Sequence, residues 1–214
     1  MTLAALFLAA VAALPSGLQR YVRTYSPVAN PDRATEYFQG RGLSIAEART
    51  YAAAVKVESS AHRSCGFMSV NIDCPGKRAW ASIFVRNQER SAGRWAPCGS
   101  AQFWDFPGNP NHHHNWCWDF FDANPRGAWH HVAIVVTART VKYYFDGRPV
   151  SQYRLDTPAT KADKFAEVAF NYDGHGVSAE RLVIDAALPD AEVKEYADAV
   201  RSYLAYCDMR SRKE

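Results

Sequence analysis

Between Trp104 and Asp122 the chain reads WDFPGNPNHHHNWCWDFFD, a run that mixes aromatic rings with amides, imidazoles and carboxylates. A pyranose stacks its C–H face on an aromatic ring and offers its hydroxyls to polar partners, so this mixture has the chemistry of sugar recognition. Trp104, Asn111, His112, His114, Trp116, Trp118 and Asp119 are the candidate ligand-binding residues: Trp116 or Trp118 would stack on the sugar, while Asn111, His112, His114 and Asp119 would hold hydroxyls. The three adjacent histidines also suggest zinc or copper. In an extended chain, however, neighbours point opposite ways, so only His112 and His114 share a face and the run is a poor tetrahedral site. Asp105, Asp119, Asp122 and Asp173 are oxygen donors for calcium, in a spacing that matches no acidic loop of known type.

These residues need a frame, and the clearest one lies just downstream, from Gly127 to Val150. Val132, Ile134 and Val136 alternate with smaller residues, Thr137 to Thr140 interrupt, and Val141, Tyr143 and Phe145 alternate with Lys142 and Tyr144. A period of two marks strands, whereas a helix would mix these faces. Asp146-Gly147 suits the positive backbone angles of a two-residue type I′ turn, so Arg148 to Tyr153 returns as a third antiparallel strand.

Upstream, Thr50 to Glu58, Phe67 to Ile72, Ala79 to Arg86 and Arg94 to Trp104 read as strands. Cys74-Pro75-Gly76 makes the turn between the second and third, and Trp80, Ser82 and Phe84, or their alternates, face inward. Trp104 to Asp122 is then a long loop or two short strands. Downstream, Phe165 to Tyr172 and Ala179 to Ile184 are strands on either side of an Asp173–Gly176 turn. Pro189 suits a first helical position, and Asp190 and Glu192 sit where the helix dipole favours negative charge. Val193, Tyr196, Ala197, Val200, Tyr203, Leu204 and Cys207 follow as one apolar stripe, which places Cys207 against the core as an unpaired thiol.

Trp129-His130-His131-Val132-Ala133 and Val141-Lys142-Tyr143-Tyr144-Phe145-Asp146-Gly147 resemble the paired strands of the laminin-G-like, concanavalin A-like lectin/glucanase superfamily. Glu180 to Val193 is similar to that family's last strand and the helical turn after it. The resemblance implies an all-β chain, a two-sheet antiparallel jelly-roll sandwich with a C-terminal α-helix. It also implies that Trp129, His130 and His131 are structural strand-start residues, and that ligands meet the edge loops or the concave sheet face. Many members bind calcium through loop aspartates, which makes Asp105 and Asp122 the calcium candidates.

Retaining glucanases of this sandwich need two carboxylates roughly 5 Å apart, at i and i+4 on one strand face. No Glu-x-Asp-x-x-Glu or Glu-x-Asp-x-Glu occurs, nor the Gln-x-His of jelly-roll polysaccharide lyases. The expectation is a non-catalytic extracellular module that recognises carbohydrate or glycoprotein. A protein-binding adhesive module and a glycoside hydrolase of the same fold are the alternatives.

With 48% apolar and 13% aromatic residues, the 214-residue chain suits one large β domain. A net charge of +3, from 25 basic and 22 acidic residues that are scattered, argues against a nucleic-acid partner. Leu3 to Leu14 has the length of a signal-peptide core and is too short to span a bilayer, so secretion and no membrane span are expected. Five cysteines, Cys65, Cys74, Cys98, Cys117 and Cys207, agree with an oxidising compartment if four pair. Cys65 with Cys74 and Cys98 with Cys117 would each staple a loop, but four cysteines allow three connectivities. The expected map is a signal peptide at 1–17, a linker at 18–42, the jelly-roll domain at 43–188, and a packed helix with a basic tail at 189–214.

Overall fold

The structure is a computed structural model, and it describes residues 22–23, 27–29, 36–39, 49–57, 64–74, 77–88, 94–104, 112–117, 128–154, 165–170, 176–184 and 186–211. Side chains are described at 49–56, 66–68, 81–84, 128–154, 181, 183–184 and 186–205. The described residues form two antiparallel sheets and a C-terminal helix, a mostly β chain as expected.

The Gly127–Val150 pattern folds as its period of two requires. β9 (Trp129–Val136), β10 (Thr140–Phe145) and β11 (Arg148–Arg154) run antiparallel, with Val132 opposite Phe145 and Val136 opposite Val141. Asp146 and Gly147 make the turn with φ of 49° and 75°, both in the left-handed region that a type I′ turn needs.

These three strands belong to a six-stranded sheet in the order β1-β13-β4-β9-β10-β11, where β1 is Val22–Arg23, β4 is Arg49–Val57 and β13 is Gly176–Ile184. The second sheet has seven strands in the order β2-β3-β12-β5-β6-β7-β8. Its members are β2 (Pro27–Ala29), β3 (Glu36–Gln39), β5 (Ser64–Cys74), β6 (Lys77–Gln88), β7 (Arg94–Trp104), β8 (His112–Cys117) and β12 (Phe165–Phe170). The sheets approach each other where β5 meets β4 and β13, and where β6 meets β9.

Three features depart from the sequence reading. The stretch expected to be a linker contributes β1, β2 and β3, which find their partners at β13 and β12, far along the chain. β12 and β13 enter different sheets, so the chain crosses between sheets there instead of closing a hairpin. Cys65 and Cys74 stand near opposite ends of β5, roughly 30 Å apart at ~3.3 Å per residue, so they close no loop and cannot bridge. The apolar run at 3–14 lies outside the described residues.

β4 and β9 are buried on both faces. Tyr51, Ala53, Val132, Ile134 and Val136 occupy one face, aligned with Val141, Tyr143 and Phe145 of β10. Ala52, Ala54, Ala133 and Val135 occupy the other, and α1 (Asp190–Ser211) covers them with Val193, Tyr196, Val200 and Leu204. The predicted apolar stripe is therefore the docking face, and three alanines beneath it let the helix lie close to the sheet. The side chain of Cys207 lies outside those described.

Polar ties pin this helix at its start. The buried Thr50 hydroxyl donates to the Ala186 carbonyl at 2.7 Å and accepts from the Leu188 N–H at 3.0 Å. Asp190 accepts from Lys142 at 2.5 Å and from the Tyr144 hydroxyl at 2.8 Å. The Lys142 and Tyr144 hydrogen bonds hold the Asp190 carboxyl below its usual range. Thr50→Val keeps the shape but leaves a buried N–H and C=O without their partner. It is expected to cost about 1–3 kcal/mol, read as a lower urea midpoint at unchanged m-value.

Candidate functional site

Register across the seven-stranded sheet sorts its residues by chemistry. One face carries Met68, Ile83, Gly99 and Trp116 in one row, Val70, Ala81, Ala101 and His114 in the next, and Ile72, Ala79, Phe103 and His112 in a third. Met68, Ala81 and Ile83 on this apolar face are buried. The other face carries Gln39, Glu167, Asn71, Trp80, Gln102 and His113 in one row across six strands. Beside that row run Asp73, Arg78 and Trp104 on one side and Ser69, Ser82, Ser100 and Asn115 on the other. At ~4.8 Å between strands, the four positions from Asn71 to His113 span about 14 Å. The register thus places amide, hydroxyl, charged and two tryptophan positions on one face of the sheet, where Ser82 is itself buried.

Of the residues singled out from sequence, Trp104 ends β7, while His112, His114 and Trp116 lie on β8. The register does not bring the four together: the last three hold apolar-face positions and Trp104 a polar-face one. Asn111, Trp118, Asp119, Asp105 and Asp122 lie outside the described residues. The sequence reading did not single out Asn71, Arg78, Gln102 and Glu167. It named Trp80 only as an inward-facing alternative. Their signal was present in β5, where Ser69, Asn71 and Asp73 alternate with Met68, Val70 and Ile72, but it becomes a surface only when four or more strands are aligned.

His130 and His131, expected to be strand-start residues, meet at a second polar centre. The Asp146 carboxylate accepts from His130 Nδ1 at 2.9 Å through one oxygen and from the His131 N–H at 2.9 Å through the other. The Asp146 N–H donates to the His131 carbonyl at 2.7 Å, and Arg201 Nε of α1 stands 3.3 Å from Oδ1. Burial alone would raise the Asp146 carboxyl, but the His130 and His131 hydrogen bonds and the Arg201 charge bring it below its ordinary value. The His131 ring faces α1, edge-on to Tyr196 at 5.1 Å, fully buried. Neither of its ring nitrogens has a hydrogen-bond partner among the described residues. Burial lowers its pKa from 6.5 to about 4, with Asp146 and Asp198 opposing and Arg201 reinforcing. This centre joins turn, strand and helix. Among the described residues no His, Cys, Asp or Glu group is arranged for a metal.

No protein-family model matches the sequence, and no curated protein matches it. Solved structures do share its fold. A Trypanosoma rangeli sialidase in complex with 2,3-difluorosialic acid matches with a TM-score of 0.51 and 12% identity, over 83% of this chain and 28% of the sialidase. The binding domain of botulinum neurotoxin DC in complex with SialylT matches with a TM-score of 0.50 and 13% identity, over 83% of this chain and 46% of that one. The alginate lyase Aly36B is a weaker likeness, with a TM-score of 0.48 and 11% identity over 70% of this chain. The chain thus spans under a third of the sialidase and under half of the toxin domain, and at these identities the likeness is one of fold.

Proposed function

We propose that this chain is a concanavalin A-like jelly-roll sandwich of laminin-G-like type, acting as a secreted recognition module for carbohydrate or glycoprotein. The observation that carries the reading is the row Glu167, Asn71, Trp80, Gln102 and His113, with Arg78 and Trp104 beside it, on the face opposite the buried Met68, Ala81 and Ile83. Indoles offer stacking surfaces, and amides and imidazole offer paired donors and acceptors for ring hydroxyls. The connection from Trp104 to His112 carries Asn111, and the chain just beyond β8 carries Trp118 and Asp119, all of them outside the described residues. Asp105 and Asp122, in the same two segments, are the candidates for a supporting calcium ion. Support also comes from the toxin domain, a binding domain with a SialylT ligand and a shared fold. The apolar run at 3–14 supports secretion.

A glycan-array screen of the purified chain, with and without EDTA, followed by titration of the best glycan, tests this reading. Trp80→Ala is expected to weaken binding at least tenfold, the loss of one central aromatic anchor. Trp116→Ala, at an apolar-face position, is expected to lower Tm while leaving the affinity of the folded protein unchanged. An array with no bound glycan, or equal affinities for wild type and Trp80→Ala, refutes it.

One arrangement favours a second reading, hydrolysis. Glu167 stands opposite Asn71, and Asp73 lies two residues along β5, so the two acids hold positions on one face of neighbouring strands beside a bulge between Phe165 and Glu167. It is a cross-strand pair, invisible to a search for acids along one strand. New reducing ends released from a bound glycan would favour this reading over recognition alone.

A further inference from the structure

Cys98 and Cys117 occupy directly paired positions on β7 and β8. Residues directly opposed in an antiparallel pair have Cα atoms about 4.5–5.5 Å apart. That lies within the ~4.4–6.8 Å a disulfide spans. The topology leaves the other cysteines without such a neighbour among the described residues. Val85 stands opposite Cys65 and Lys77 opposite Cys74, and Cys207 is on α1, which packs against β9 and β11 of the other sheet.

We infer that Cys98 and Cys117 form a cross-strand disulfide, the one pairing among the sequence alternatives that the sheet register permits. The S–S bond forms as the two thiols lose two protons and two electrons to a thiol–disulfide oxidoreductase or to dioxygen. Its place gives it a purpose. β8 ends the seven-stranded order and has β7 as its sheet neighbour, and an edge strand held from one side is the strand most readily peeled away. The bond fastens the last residue of β8, on the strand that contributes His113 and Asn115 to the polar face. The inference stands on register alone and does not rest on carbohydrate recognition.

The full chain, folded in a glutathione redox buffer, is alkylated without reduction, digested and analysed by mass spectrometry. A linked peptide pair containing Cys98 and Cys117 is expected, disappearing on reduction. Amide exchange at 112–117 is expected to accelerate in Cys98→Ser and in Cys117→Ser, with β9 and β10 unchanged. Alkylation of both cysteines in the folded, oxidant-treated chain, or a link from either to a different cysteine, overturns the inference. So does unchanged exchange at 112–117 in both variants. Glycan affinity is not the readout, so failure here leaves the functional proposal to its own test.

Discussion

Lowering the pH from 6.5 to about 4 is expected to remove about 3 kcal/mol of stability through His131 alone. The group titrates at 6.5 when unfolded and at about 4 when folded, so within that window the unfolded chain binds a proton that the folded chain refuses. Stability therefore falls as the pH falls, and the loss is complete near the folded value. The cause is geometric: the ring is fully buried between β9 and α1 against Tyr196, and a charge there has no hydrogen-bond acceptor among the described residues. Asp146 supplies an attractive charge, while Arg201 of the helix supplies a repulsive one. His131→Phe keeps an aromatic edge against Tyr196 and removes the titration. Urea midpoints measured at intervals from pH 7 to 4 are expected to decline steeply in wild type and much less in the variant. Below about pH 4 both should decline together, because Asp146 has a depressed carboxyl whose contribution disappears only on its own protonation. Parallel curves across the upper window would show that His131 is not the group responsible.

Gly147→Ala is expected to destabilise the fold by about 3 kcal/mol or more, a Tm loss of roughly 6–12 °C for a domain of this size. Two costs combine. The residue has φ of 75°, where an L side chain is strained, and a Cβ placed there would stand 2.8 Å from Lys194 Cα and 3.1 Å from Ala197 Cβ. The first of these is helix backbone and cannot rotate aside. Relief requires α1 to lift from the sheet, opening the cluster of Ala52, Ala133, Tyr144, Tyr196 and Val200. Arg148→Ala, one residue on and exposed, is the control and should change Tm little. Amide exchange along α1 should accelerate in the glycine variant. An unchanged Tm would mean that the helix does not bear on the turn.

Both predictions come from a segment whose local structure was legible in advance. The Asp146-Gly147 turn, the three strands around it and the apolar stripe of the helix follow from short-range rules, because turn geometry and side-chain periodicity depend on residues a few positions apart. What those rules omit is the load on the turn. Gly147 reads as a residue that permits a backbone angle, and it proves also to be the point on which α1 rests. Likewise His131 reads as a strand-start residue, and its suppressed basicity comes from a helix sixty-odd positions away in sequence.

The proposed ligand surface divides in the same way. The mixture of rings and amides in the Trp104–Asp122 run pointed to sugar chemistry, but a strand shows two faces, and only its neighbours decide which face is core. Aligned with β7, β6 and β5, His112, His114 and Trp116 fall in rows with Met68, Val70 and Ile72, while His113 falls in a row with Asn71, Trp80 and Gln102. A one-residue change of register would exchange these assignments.

Composition and periodicity alone establish a strand-rich chain with a terminal amphipathic helix, a tight Asp-Gly hairpin and a run that mixes aromatic and polar residues. Strand order, the separation of Cys65 from Cys74, the apposition of Cys98 and Cys117, and the assembly of one polar face from β12, β5, β6, β7 and β8 belong to the tertiary structure. The reason is that a side chain's alternation is written in its own strand. Its partner across the sheet is chosen by burial of the whole apolar surface, to which residues a hundred positions apart contribute equally.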